Sequence, residues 1–195
     1  MNAERILILR EKLDRPIVLI GMMGTGKTKI GAMLARALDL EFVDSDDEIQ
    51  RAAGCSVSEI FERFGEASFR DGEKRVLKRL ISDAPKVIAT GGGAVTNAET
   101  AQLIWDDAIS VWLKADLAVL LERVGRTDRR PLLKNGDPAK ILAELLEKRE
   151  PIYARADITV DSSTGDADAL VNEILERVET VLATKAFAQK KNAQT

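Results

Sequence analysis

Short apolar runs of strand length recur along the chain: PIVLI at 16–20, EFV at 41–43, KVIAT at 86–90, AISVWL at 108–113 and DITV at 157–160. Longer stretches of helical period separate them. In 27–38, for example, Ile30, Leu34, Ala37 and Leu38 fall on one face of a helix. This alternation predicts a β-α-β-α chain built on a mostly parallel, buried sheet. Ser56-x-x-Glu59 and Thr96-x-x-Glu99 read as capping boxes that start two of the helices, and Gly65 reads as a helix stop or a hinge. The last dozen residues, TKAFAQKKNAQT, carry no periodicity and are expected to be disordered. The first dozen are expected to form at most a loosely docked helix.

One segment breaks the pattern. GRTDRRPLLKNGDP, at 125–138, holds three arginines, a lysine, two glycines and two prolines between helical stretches. Such a composition suits a mobile flap and a plain solvated loop equally well.

Length and composition narrow the partners. At 195 residues with 45% hydrophobic content, a single domain is expected, and a net charge of −3 argues against nucleic acid. The single Cys55 cannot form an internal disulfide, which fits a reducing compartment and favours an inert buried thiol over a reactive one. The N-terminal stretch MNAERILILREKLDR has neither the apolar core of a secretory signal nor the length of a membrane span, so a cytoplasmic location is expected. The chain contains no histidine, so a general base must be a carboxylate, a lysine or something less common.

The strongest chemical signal is GMMGTGKT at 21–28, a full match to G-x-x-x-x-G-K-[ST] between an apolar strand and an amphipathic helix. Gly21, Gly24 and Gly26 let successive N–H groups curl around a phosphate chain at a helix start. Lys27 is then expected to reach the β- and γ-phosphates, and the Thr28 hydroxyl to coordinate Mg²⁺. No N-K-x-D or D-x-x-G signature of a GTPase occurs, which leaves ATP chemistry. Downstream, FVDSDDEI at 42–49 packs four acids into five positions. If strand geometry continues, Asp44 and Asp46 face the same way at the carboxyl end of the second strand, the usual ligand crevice. Asp44 is expected to hold Mg²⁺ through water, Asp46 to lie deeper, and Asp47 and Glu48 to complement the next helix dipole.

Together GMMGTGKT, DSD (44–46), FR (Phe69 and Arg70), GGGAV (91–95), RPLL (130–133) and KREPIYARAD (148–157) resemble the shikimate kinases, in that family's order, across roughly residues 16–180. The resemblance implies a three-layer αβα P-loop fold, a five-stranded parallel sheet in the order 2-3-1-4-5, a substrate-binding helical insertion and a lid at 125–138. It implies one domain over 1–195 with loose ends at 1–15 and 185–195. The implied reaction moves a phosphoryl group from ATP to the 3-hydroxyl of shikimate, a step toward chorismate and aromatic amino acids, in a cytoplasmic, Mg²⁺-dependent monomer without nucleic-acid or membrane partners.

Residue by residue, the resemblance puts Gly24, Thr25, Gly26, Lys27, Thr28 and Lys29 on ATP. Arg123 falls at the position that stacks on adenine, and Arg130 at that of the lid arginine reaching the transferred phosphoryl group. Asp46 matches the acid at the substrate hydroxyls, and Arg70 and Arg149 match the arginines on the substrate carboxylate. Gly91, Gly92 and Gly93 let substrate approach backbone N–H groups, and their strand carries no aspartate, which leaves the metal role to Thr28 and Asp44. Val57, Phe61 and Phe69 match positions that line the substrate pocket, and helical spacing makes ordinary core packing an equally good account of Val57 and Phe61. A kinase for another small hydroxy acid such as gluconate, and a non-catalytic ATP-binding regulator, are the competing readings.

Overall fold

The computed structural model describes residues 1–125 and 137–192, the side chains of 185–192 excepted. Its elements run α1 (Ala3–Lys12), β1 (Ile17–Ile20), α2 (Lys27–Leu38), β2 (Phe42–Asp44), α3 (Ser45–Ala53), α4 (Val57–Ile81), β3 (Val87–Ala89), a short 3-10 turn (Ala94–Thr96), α5 (Ala98–Asp107), β4 (Ile109–Lys114), α6 (Leu117–Val124), α7 (Pro138–Tyr153), β5 (Ile158–Asp161) and α8 (Ala167–Asn192). The five strands form one parallel sheet in the order β2-β3-β1-β4-β5.

Both faces of that sheet are covered at its centre, which is why β1, β3 and β4 are continuously buried runs, while the edge strand β5 alternates buried and exposed positions. Side-chain alternation along β1 sends Ile17 and Leu19 to one face and Val18 and Ile20 to the other. Ile17 and Leu19 pack with Leu9 of α1, Ile30 and Leu34 of α2, and Ile174 of α8. Val18 and Ile20 pack with Leu77 of α4, Ile104 of α5, and Leu142 and Tyr153 of α7. The three layers and the strand order match those implied by the family resemblance.

Local signals held unevenly. Ser56 and Glu59 form the reciprocal capping box that opens α4. The second predicted box does not form: α5 is capped by Asn97, whose side chain accepts from Thr100 N–H. Thr96 turns back on the 3-10 turn instead and donates its hydroxyl to the Gly93 carbonyl. Asparagine outranks threonine as an N-cap, so a one-residue shift of the start is favourable. Gly65, at φ 76° and ψ 171°, leaves the helical path, so α4 is two helical segments joined at a kink there, in keeping with the stop-or-hinge reading. The N-terminal segment, expected to dock loosely, buries Leu9 and Leu13 against α2 and α8. α8 continues as far as Asn192, through most of the tail that lacks periodicity. Cys55 is half-buried against the core, not fully enclosed.

Candidate active site

The phosphate loop lies between β1 and α2, and its first glycine is required sterically. Gly21 has φ +137°, and a Cβ there would sit 2.5 Å from the Leu113 carbonyl oxygen of β4. That contact is with backbone and cannot rotate away. Gly21→Ala is therefore expected to destabilise the fold by at least about 2 kcal/mol, from backbone strain and overpacking. Thermal denaturation checks this as a melting point lowered by roughly 4–8 °C.

Gly26 caps α2 in the left-handed region with no side-chain acceptor, so the first N–H groups of the helix face the loop cavity. Thr25 donates its hydroxyl to the Met22 carbonyl (2.8 Å), which tightens the loop from inside. Lys27, only 9% exposed, folds back over the loop and donates to the carbonyls of Gly21 and Met22, each at 2.8 Å. Thr28 donates its hydroxyl to Asp44 Oδ2 at 2.8 Å, so both residues of the expected metal site are adjacent.

Asp44 and Asp46 are brought together differently from the sequence expectation. The strand ends at Asp44, which caps α3 and accepts from the Asp46 N–H at 3.1 Å. Asp46 thus projects from the first helical turn and not from a continued strand. Its Oδ1 is buried and finds no hydrogen-bond partner among the described residues. Burial, reinforced by the neighbouring Asp44 charge, holds its pKa above the ordinary aspartate value, with Lys27 pulling the other way. Asp47 and Glu48 occupy the first turn as expected, and Glu48 also binds Arg79 of α4 and Arg51.

A second buried carboxylate was missed from sequence. Glu73 of α4 is 1% exposed; its Oε2 accepts from Arg70 at 2.7 Å, while its Oε1 has no partner among the described residues. Burial raises its pKa and the Arg70 pair only partly offsets that. A Cβ placed on Gly91 would lie 2.8 Å from Asp46 Oδ1 and 3.2 Å from Glu73 Oε1, so the two unsatisfied oxygens converge on this glycine. The spacing Arg70-x-x-Glu73 on a helix was a legible signal, because residues three apart share a face.

The rest of the triglycine turn meets the arginines. A Cβ on Gly93 would overlap the Arg70 guanidinium, and Arg149 of α7 donates to the Gly92 carbonyl at 3.2 Å while being 8% exposed. Arg70 also pairs with Glu66 and lies 5.2 Å from the Phe69 ring centroid. Phe61 and Phe69 stack with centroids 4.7 Å apart, Phe69 buried in the core and Phe61 and Val57 partly exposed beside it. Asp46, Arg70 and Arg149 therefore gather on the three glycines after β3, beside the phosphate loop that Gly92 approaches.

On the other side of that loop a cavity of about 350 Å³ is lined by Thr25, Gly26, Lys29, Arg123, Ser162 and Asp166. Arg123 spans it, donating to the carbonyls of Ser162 (2.8 Å) and Gly24 (3.4 Å). The contribution of 162–167 was not read from sequence, since its small residues carry no motif. A larger cavity, about 680 Å³, opens between α3 and α4 beside Ile49, Ile60, Phe64 and Arg79. Of the expected site residues it touches only Phe69, so its size does not make it the reaction site. Arg130 and most of the expected lid lie outside the described residues.

A parallel 2-3-1-4-5 sheet, a complete phosphate loop and an adjoining cluster of carboxylates and arginines define a small-molecule kinase of the P-loop class. The chain belongs to the shikimate kinase family, whose model, described as shikimate kinase, matches residues 23–179. It is 53% identical over 157 residues to the shikimate kinase of Caulobacter vibrioides (strain NA1000 / CB15N), covering 80% of this chain and 78% of that protein. It is 49% identical over 175 residues to that of Paramagnetospirillum magneticum, covering 90% of each. Among solved structures, shikimate kinase from Acinetobacter baumannii in complex with shikimate aligns with a TM-score of 0.83 at 37% identity, over 92% of this chain and 98% of that one.

Proposed function

We propose that the chain transfers the γ-phosphoryl group of ATP to the 3-hydroxyl of shikimate, giving shikimate 3-phosphate and ADP. The observation that carries this reading is the convergence of Arg70, Arg149 and Asp46 on the triglycine turn, next to the phosphate loop. Two arginines suit a carboxylate, which a planar guanidinium grips through two oxygens. Asp46, with its unsatisfied buried oxygen, suits a hydroxyl donor. An alcohol is far less acidic than this carboxylate, so Asp46 chiefly orients the 3-hydroxyl and takes its proton late.

In the same reading, Gly24, Thr25, Gly26, Lys27, Thr28 and Lys29 cradle the phosphates, and Arg123 borders the adenine in the cavity shared with Ser162 and Asp166. The adjacent oxygens of Thr28 and Asp44 fit a hard divalent cation. Thr28 would hold Mg²⁺ directly and Asp44 through water; when bound, the ion neutralises charge on the β- and γ-phosphates. Arg130, assigned by resemblance alone, would offset charge on the transferred group. The reading extends to a single-domain monomer acting in the cytoplasm; no helix among the described residues is long and apolar enough to cross a membrane.

Calorimetric titration with shikimate, without nucleotide, tests the substrate. Saturable binding is expected, weakened about 10- to 100-fold in Arg149→Ala, the range for a lost hydrogen bond to a charged partner. Absence of binding by the unsubstituted protein would reject the substrate assignment. Unchanged affinity in the variant would reject the role of Arg149.

A further inference from the structure

Tyr153, the only tyrosine of the chain, sits in KREPIYARAD without a part in the site described so far. It lies four residues after Arg149, hence on the same face of α7. It is 1% exposed, with its ring centroid 5.9 Å from that of Trp112 in β4. Its hydroxyl donates to the carbonyl of Gly92 and lies 3.6 Å from Met22 Sδ in the phosphate loop. Arg149 donates to the same carbonyl through Nη1. Gly92 is also pressed against the phosphate loop, since a Cβ there would lie 3.3 Å from Met23 N and 3.4 Å from Gly21 O.

One carbonyl therefore receives two donors, an arginine expected to bind substrate and a phenol that cannot reach solvent. A buried carbonyl satisfied by the phenol does not depend on the arginine, so the guanidinium can turn to a carboxylate without leaving a buried acceptor unpaired. Burial pushes the phenol up to about 12, against the pull of Arg149, so it stays a donor throughout the neutral range. We propose that Tyr153 is a positioning residue for the substrate carboxylate: its hydroxyl fixes the Gly92 carbonyl and thereby the triglycine turn, and so releases the Arg149 guanidinium to receive the substrate. The proposal rests on the shikimate reading given above.

Tyr153→Phe keeps the ring and removes the hydroxyl alone. Its shikimate affinity is expected to fall roughly tenfold, the equivalent of one hydrogen bond, with ADP affinity and kcat each within about threefold of the parent. Trp112→Phe, which loosens the ring packing but leaves the hydroxyl, is expected to change shikimate affinity less than about twofold. Unchanged affinity in Tyr153→Phe, or an equal loss in both variants, overturns the proposal. A second measurement needs no substitution. Replacing tyrosine with 3-fluorotyrosine labels Tyr153 alone, and its fluorine resonance is expected to shift saturably with shikimate; an unmoved resonance at saturation overturns the proposal. Failure of the parent protein to bind shikimate strikes the functional reading instead, so the two failures are distinguishable.

Discussion

Lys27→Met is expected to lower kcat at saturating ATP and shikimate by about 10²–10³-fold, the scale for removing one preorganised donor from developing negative charge. The methionine keeps the buried stem, so the comparison isolates the ammonium group. That ammonium bridges the carbonyls of Gly21 and Met22 and so shapes the loop it serves. A modest loss of stability, on the order of 1–2 kcal/mol, is therefore expected beside the kinetic loss. Shikimate affinity measured without nucleotide should stay within twofold. A variant keeping more than a tenth of normal turnover would contradict the assignment of the loop.

The second large effect belongs to Asp46. Asp46→Asn preserves shape while removing the charge and the proton acceptor, and is expected to cost about 10²–10⁴-fold in kcat. Its effect on stability should run the other way. Asp46 has a raised folded-state pKa, so the folded chain binds the proton more tightly than the unfolded one, and stability falls as pH rises through that pKa. Once ionised, the side chain is therefore a burden on the fold, and the amide removes it. A melting point equal to or above that of the parent, together with near-normal ADP affinity, is the expected pattern. Equal turnover in the two proteins would reject the catalytic role, and a lowered melting point would reject the account of the buried charge.

How much of this was legible in the chain depended on whether the signal was local. The phosphate loop was readable because glycine, lysine and threonine act through spacing within eight residues, and the apolar strand and amphipathic helix on either side could be checked at once. The layers followed from apolar runs that need cover on both faces, but the strand order came from the family resemblance and not from periodicity. The failures share a cause. Asp46 was expected to continue a strand that in fact ends at Asp44, because capping of α3 by the Asp44 side chain competes with extension and no pattern fixes which wins. Asn97 displaced Thr96 as a cap for a similar reason, two good candidates lying side by side. Tyr153 meets a partner on another element, the Gly92 carbonyl of the turn after β3, and such a contact leaves no mark at its own position, whereas Glu73 was marked by its spacing from Arg70 and passed over.

Phosphoryl transfer from ATP to shikimate is read as the release of ADP in the presence of Mg²⁺. Shikimate, gluconate, quinate and AMP are to be compared as acceptors at equal concentration. Turnover with shikimate far above that with any of the other three is the result expected here. ADP release no faster with shikimate than with gluconate, or none above the rate without acceptor, would contradict the account.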